Sequence, residues 1–146
     1  MLISKFSLDD FYKQLKSQFR ELRANSLRLR SECAAGPVSF SRVSGYLAFV
    51  TDSIALCDER LTRFGATALA NYAKSQEDDV NYNPSADYNT MKTAANAVAN
   101  YITLAIPSNS NHTVVNGRAV EPSFSVAQTA TLRTLLDTLV GTIGAP

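Results

Sequence analysis

The first apolar pattern in the chain follows the 4-3-4-3 spacing of one helix face over about seven turns. Ser7 is a suitable N-cap for this helix. Gly36 and Pro37 end it, because Gly is favoured just past a helix and Pro cannot continue the hydrogen-bond ladder. The pattern therefore predicts one long helix with a narrow apolar seam, which consists of Leu8, Tyr12, Leu15, Phe19, Leu22, Ser26, Leu29 and Cys33.

A second long helix is predicted to start after Ser39 or Ser41 and to end at Gly65. Its stripe has the same spacing and consists of Val43, Leu47, Val50, Ile54, Cys57, Leu61 and Phe64. Further apolar residues lie outside this stripe, namely Tyr46, Phe49 and Leu56. We therefore expect this helix to be the central one, joined to the first as an antiparallel helical hairpin by the short Gly-Pro connection.

The middle of the chain predicts a short helix, a loop and a third long helix. Residues 66–75 favour a minor helix, and the polar, Asn-rich residues 76–84 are typical of a surface loop. Ser85 or Asp87 then caps a helix that Pro107 ends. Its apolar face consists of Tyr88, Met91, Ala95, Val98, Ile102 and Ala105.

The last third of the chain, 113–144, carries the strongest local signals. Asn116-Gly117 is the dipeptide that a type I′ turn prefers, so residues 113–120 predict a β-hairpin. After Pro122, Ser125 and Gln128 form a capping box that opens the final helix. That helix has a broad apolar face of Leu132, Leu135, Leu136, Leu139, Val140 and Ile143.

The predicted fold class is all-α. It is a bundle of four main helices plus one minor helix, with a small two-stranded β-hairpin before the C-terminal helix, in a single domain of residues 1–146. We expect the terminal helix to support the hairpin and to pack on the central helix, 43–64. On its outer side, Arg133 and Asp137 have the spacing of a weak ion pair.

Charge is distributed unevenly along the 146 residues, although the net charge is only +1. Residues 1–42 carry eight Lys or Arg and four acids, whereas the remainder carries six bases and nine acids. No apolar run approaches the roughly 20 residues needed to span a bilayer, and the N-terminus lacks a signal-peptide pattern. We therefore expect synthesis in a cytoplasm and no membrane partner.

The sequence shows no catalytic apparatus. His112, the only histidine, stands in a polar loop with no acid or nucleophile beside it in sequence. Cys33 and Cys57 both fall on apolar stripes, which predicts buried free thiols instead of metal ligands or a disulfide. No phosphate loop, nucleophile elbow or zinc motif occurs. We expect the protein not to be an enzyme and to use no cofactor and no metal.

One acidic segment has the opening rhythm of a calcium loop, with oxygen ligands at every second position: Asp79, Asn81, Asn83, Ser85 and Asp87. It lacks the Gly of the sharp turn, which is Pro84 here, and the final bidentate Glu, which is Thr90. A capped loop that enters a helix is the favoured interpretation, and ion binding is the alternative.

The basic face of the first helix offers a second alternative. Lys13, Arg20 and Arg23 lie off the apolar seam, where they could contact nucleic acid or an acidic protein surface. Aromatic residues are concentrated in the seam and are not interleaved with these bases, and no recognition-helix motif is present. A protein surface is at least as good an expectation as nucleic acid.

The segment Ser123–Val140, with its Ala-Gln-Thr-Ala-Thr-Leu-Arg motif, resembles the terminal helix of small helical proteins encoded by tailed bacteriophages and prophages. The likeness extends in pattern over most of the chain, from the long basic-amphipathic first helix to the Tyr88-Asn89-Thr90-Met91 segment of an alanine-rich helix. The resemblance implies a phage setting. No functional residue is carried over from that family.

In that setting we expect a structural or assembly protein of the virion, at the head–tail junction or in the tail. Its partners would be other phage structural proteins and further copies of itself in a repeated assembly. The alternatives are a non-virion assembly chaperone and a nucleic-acid-associated phage protein. The candidate partner contacts are Val114, Val115, Asn116, Gly117 and Arg118 of the hairpin, with Lys13, Arg20 and Arg23 of the first helix.

Overall fold

The computed structural model describes residues 5–65, 67, 71, 84–106, 113–115, 118–120 and 122–143. The helices are α1 (Lys5–Ala35), α2 (Phe40–Phe64), α3 (Pro84–Ala105) and α4 (Val126–Ile143), and the strands are β1 (Thr113–Val115) and β2 (Arg118–Val120). The predicted minor helix and loop, 66–83, lie outside the described residues apart from Thr67 and Asn71.

The described helices form a four-helix bundle, as the apolar periodicity predicts. Helix α1 packs on α2 and α4, and α3 packs on the same two helices, so the four are arranged as a ring in chain order. The terminal helix α4 therefore lies between α1 and α3, diagonally opposite α2. The prediction that it packs on a central second helix is wrong, because in this ring every helix has two neighbours and none is central.

The core consists of one stripe from each helix. The seven members of the predicted α1 seam from Tyr12 to Cys33 are all buried, and Phe11 widens the seam at its start. In α3 the buried positions are Tyr88, Met91, Ala94, Ala95, Val98 and Ile102. In α4 they are Thr129, Leu132, Leu136 and Leu139. The periodicity identified these three faces, but Ala105 of α3 and Leu135, Val140 and Ile143 of α4 are only partly buried, and Ala94 and Thr129 are additions.

The buried face of α2 is rotated from the predicted stripe. Tyr46 and Ser53 are buried together with Val43, Val50 and Cys57, whereas Leu47, Ile54 and Leu61 are only partly buried. The polar members of this face are hydrogen-bonded to α1. The Ser26 and Tyr46 hydroxyls lie 2.7 Å apart, and Gln18 Nε2 donates to Ser53 Oγ at 2.8 Å. A buried serine is tolerated here because its hydroxyl has a partner.

The predicted fold class needs a correction at the hairpin. It counted a β-hairpin as an element of the domain, whereas the folded body of the described residues consists of the four helices. Residues 113–115 pair antiparallel with 118–120, in the register Thr113–Val120, Val114–Ala119 and Val115–Arg118. In the described part of the chain this three-pair ladder contacts none of the four helices through its backbone. Three residues a strand are too few to bury an apolar face, so the ladder adds no sheet layer to the core.

A polar cluster joins α2 to α3 at the end of the bundle where α2 stops. Lys92 Nζ lies 2.8 and 3.0 Å from the two Asp58 carboxylate oxygens. The Tyr88 hydroxyl contacts Asp58 Oδ1 at 2.8 Å and the Ile54 carbonyl at 3.0 Å. Burial acts to raise the pKa of Asp58, but the Lys92 and Tyr88 hydrogen bonds and the Lys92 charge outweigh it and hold that pKa below its ordinary value.

We expect Asp58→Asn to make the free energy of unfolding depend less on pH in the acidic range. Since the folded-state pKa of Asp58 lies below the ordinary 3.8, its ion pair stabilises the fold above that pH and is lost as the pH falls through the folded-state value. The pair is partly exposed, so its loss should cost about 0.2–1 kcal/mol at pH 7. Urea unfolding at pH 7 and pH 3 measures this. Asp52→Asn, exposed on the same helix, is the control, and an equal change in both variants would contradict the assignment.

Candidate functional site

Most of the candidate contact features of the described chain lie at one end of the bundle. At this end α1 and α3 stop and α2 and α4 begin. We call it the hairpin end and define it as residues 36–39, 113–115, 118–120 and 122–126. It contains the strand pair, the connection between α1 and α2, and the segment that enters α4.

A two-bond backbone bridge holds the hairpin end together. Ser39 and Ser123 form an antiparallel bridge, in which the Phe40 N–H donates to the Pro122 carbonyl at 2.9 Å. The Phe124 N–H donates in turn to the Val38 carbonyl at 2.8 Å. The segment after β2 is thereby fixed to the start of α2, although the two are far apart in sequence. The base of the strand pair, at Val120, is two residues from this bridge.

Phe124 closes the core beneath the bridge. Its side chain is 1% exposed. Its ring packs edge-on against Phe40, with centroids 5.5 Å apart, and against Tyr101 at 6.3 Å. Phe124 therefore links the start of α2 to the last turns of α3, and sequence periodicity missed it because it precedes the helix.

The start of α4 has the predicted capping box. The Gln128 N–H donates to Ser125 Oγ at 3.0 Å, and the Ser125 N–H donates to Gln128 Oε1 at 2.9 Å. Val126 follows this cap and is 74% exposed, and Leu104, near the end of α3, is 86% exposed. The hairpin end thus presents apolar surface on a rigid base.

The strand register fixes which backbone groups of the ladder point outwards. Only two residues separate Val115 from Arg118, and in a two-residue hairpin the pair that flanks the turn is hydrogen-bonded. The pattern alternates along an antiparallel ladder, so the next pair, Val114–Ala119, turns its N–H and C=O groups to the open edges. Each strand therefore offers one donor and one acceptor to a further strand.

The structure separates the candidate partner contacts into two groups. Val114, Val115 and Arg118 lie together in the strand pair, while Asn116 and Gly117 are outside the described residues. The three basic candidates lie on α1, about 18–33 Å along the helix axis from the hairpin end. The strand-pair candidates and the basic candidates therefore do not belong to the same surface.

The basic candidates also differ from one another. Lys13 pairs with Asp9 at 3.0 Å, and Arg20 is exposed. Arg23 is half-buried, and its Nε is buried without a hydrogen-bond partner among the described residues. Farther along, Arg30 pairs with Asp137 of α4. This cross-helix pair replaces the Arg133–Asp137 pair that sequence spacing suggested, and it reduces the free positive charge of α1.

A groove that sequence reasoning did not find lies between the end of α1 and the first three turns of α4. It has a volume of about 490 Å³ and is lined by Cys33, Ala34, Gly36, Pro37, Val126, Thr129, Ala130, Arg133, Thr134 and Asp137. Burial, together with nearby Glu32, raises the pKa of the Cys33 thiol to about 11, so this thiol is uncharged at neutral pH. The groove is formed by residues from opposite ends of the sequence, which no local pattern reveals.

The structure describes some of the other sites that the sequence suggested. Among the residues that the structure describes, no three His, Cys, Asp or Glu side chains are grouped as a metal site. His112 and the first three ligands of the calcium-like segment, 79–83, lie outside those residues. None of the described helices is both long and apolar enough to cross a bilayer.

Comparisons with protein-family models, curated proteins and solved structures found no match to this chain.

Proposed function

We propose that this protein is a structural or assembly protein of a tailed phage, acting at the head–tail junction or in the tail through protein–protein contacts in a repeated assembly. The observation that carries the proposal is the strand pair, which stands apart from the four helices and has two open edges. Open edges add strands from a partner chain, and this is a common mode of assembly between subunits.

The hairpin end supports such a contact mechanically and energetically. A two-stranded ladder is only marginally stable alone, so it gains from a third strand supplied by a partner. Its base is fixed by the Ser39–Ser123 bridge, which reduces the ordering that binding requires. The exposed Leu104 and Val126 side chains supply apolar area at the same end.

The phage setting rests on the resemblance of the α1, α3 and α4 patterns to small phage-encoded helical proteins. Mass spectrometry of purified particles from a phage that encodes this chain tests the setting and the role together. We expect the chain in mature particles at a fixed ratio to other tail or connector proteins. Presence in infected cells but absence from particles would favour the assembly chaperone and contradict a structural role.

We expect Val114→Pro to reduce incorporation into particles at least tenfold while leaving the helical signal in circular dichroism within about 10% of the wild-type signal. Proline removes the N–H that Val114 turns to the open edge of β1, and it leaves the Val115–Arg118 bonds in place. Quantitative mass spectrometry of particles from complemented infections measures incorporation.

The matched variants separate the two edges and the role of the side chain. Ala119→Pro makes the same change at the edge of β2, and Val114→Ile keeps the N–H and should incorporate normally. If both proline variants incorporate as well as wild type, strand addition at this ladder is excluded. Equal loss of incorporation and of helical signal would show that the ladder serves the fold instead.

A further inference from the structure

We propose that the groove between α1 and α4 binds the C-terminal carboxylate of a partner polypeptide whose last residue has a compact apolar side chain. The inference is independent of strand addition, because the groove is formed by helix residues and not by the ladder. It rests on a cation without an ion pair, an unpaired buried hydroxyl, apolar walls and a continuous path for an extended chain.

Arg133 is the charge that would recognise the carboxylate. It is exposed on the groove wall and has no ion pair among the described residues. The other charges around the groove are already paired, Asp137 with Arg30 and Glu32 with Arg42. Arg133 therefore gives this surface a net positive charge. The planar guanidinium group is suited to bind both oxygens of a carboxylate.

Thr129 supplies the second polar contact. It lines the groove but is only 4% exposed, so it belongs to the floor, one turn from Arg133. Its hydroxyl has no hydrogen-bond partner among the described residues. A buried hydroxyl without a partner is costly to the fold. Because the hydroxyl itself is buried, a ligand atom would satisfy it after a small shift of the side chains that cover it.

The walls favour an apolar last residue. Val126, 74% exposed, lies at one side, and Ala130, Ala34 and Pro37 complete the lining. The neutral Cys33 thiol adds no charge that would repel a carboxylate. The volume of about 490 Å³ lies in the range of ligand sites.

A second depression next to the groove favours an extended polypeptide over a small carboxylic acid as the ligand. It has a volume of about 420 Å³ and shares Gly36 and Pro37 with the groove, continuing over the α1–α2 connection to the Glu32–Arg42 pair. A peptide with its carboxylate at Arg133 would cross Gly36 and Pro37 and place its preceding residues in this second depression. A small acid would leave it empty.

The test is fluorescence anisotropy with the full chain and labelled five-residue peptides that end in Ala, Val, Leu or Phe, each as a free acid and as an amide. We expect at least one free acid to bind at least tenfold tighter than its amide, which corresponds to about 1.4 kcal/mol. Arg133→Gln should remove this difference. Arg28→Gln, an equal change on the exposed side of α1, should leave affinity within twofold.

Thr129→Val separates a binding role from a structural one. We expect it to weaken binding of the free acid at least threefold and to raise the urea midpoint, because it deletes an unpaired buried hydroxyl. Equal affinity for acid and amide, an effect of Arg28→Gln as large as that of Arg133→Gln, or no binding of any peptide at 1 mM would overturn the proposal. Equal affinity for 3-methylbutanoate and the best peptide would also overturn it, in favour of a small acid.

Discussion

Replacing Tyr88 with alanine is expected to destabilise the bundle by about 3–5 kcal/mol. Tyr88 is 1% exposed and is among the largest fully buried side chains of the described residues. Its ring stacks on Phe19 of α1, with centroids 6.2 Å apart and planes 4° from parallel. The two helices lie diagonally across the ring of four, so this stack fills the centre of the core. Truncation would leave a cavity that no single neighbouring helix can close.

Tyr88→Phe separates the contribution of the ring to stability from that of the hydroxyl. It keeps the stack and removes only the contacts to Asp58 and the Ile54 carbonyl, which should cost about 1 kcal/mol. Burial and the Asp58 charge raise the pKa of Tyr88 above its ordinary value, so the hydroxyl stays protonated at neutral pH. Urea unfolding followed by circular dichroism compares the two variants. If alanine costs no more than phenylalanine, the ring does not fill the core as described.

Replacing Phe124 with alanine is also expected to destabilise the fold, again by about 3–5 kcal/mol. The Phe124 ring is held by Phe40 and Tyr101, and its backbone N–H is half of the two-bond bridge. We expect loss of the ring to loosen the bridge as well, because the ring packs against Phe40 and Tyr101 next to the bridge bonds. The hairpin end would then lose its fixed base while the opposite end stays packed.

Native-state amide hydrogen exchange distinguishes this local effect from general destabilisation. In Phe124→Ala the Phe40 and Phe124 amides should lose protection by a larger factor than the amides of Leu15 and Met91 near the other end. Phe124→Leu should cost less than about 1.5 kcal/mol and keep both amides protected. Uniform loss of protection over all four helices would contradict the assignment of Phe124 to one end.

The spacing of apolar residues predicted three of the four buried faces and the boundaries of α1 and α2 closely. The face of α2 was harder to predict because that helix has apolar residues on two sides. Its buried position Ser53 is polar, and its partner Gln18 lies on another helix. A hydrophobic pattern shows that a face is buried, but not which neighbour covers it. The prediction that α4 packs on α2 is wrong for the same reason, since the structure places α4 diagonally opposite α2.

Local signals at the candidate site were predictable, and the contacts between distant segments were not. The capping box at Ser125 and Gln128 depends on residues three apart, so sequence alone identifies it. The Ser39–Ser123 bridge depends on backbone atoms, which carry no side-chain signature. The groove brings Cys33 and Thr129 to the same surface through the packing of α1 on α4. Such sites become visible only once the order of the helices is known.

The bridge also determines how the molecule would bear a mechanical load. Force applied to β2 reaches the body at Pro122, where the first bridge bond begins. Its two bonds run across the paired segments, so a pull along those segments shears both bonds together, whereas a pull away from the bundle opens them one after the other. The cap of α4 at Ser125 lies behind the bridge and would be strained only after it yields. The resistance of the hairpin end to mechanical unfolding therefore depends on the direction of the applied force.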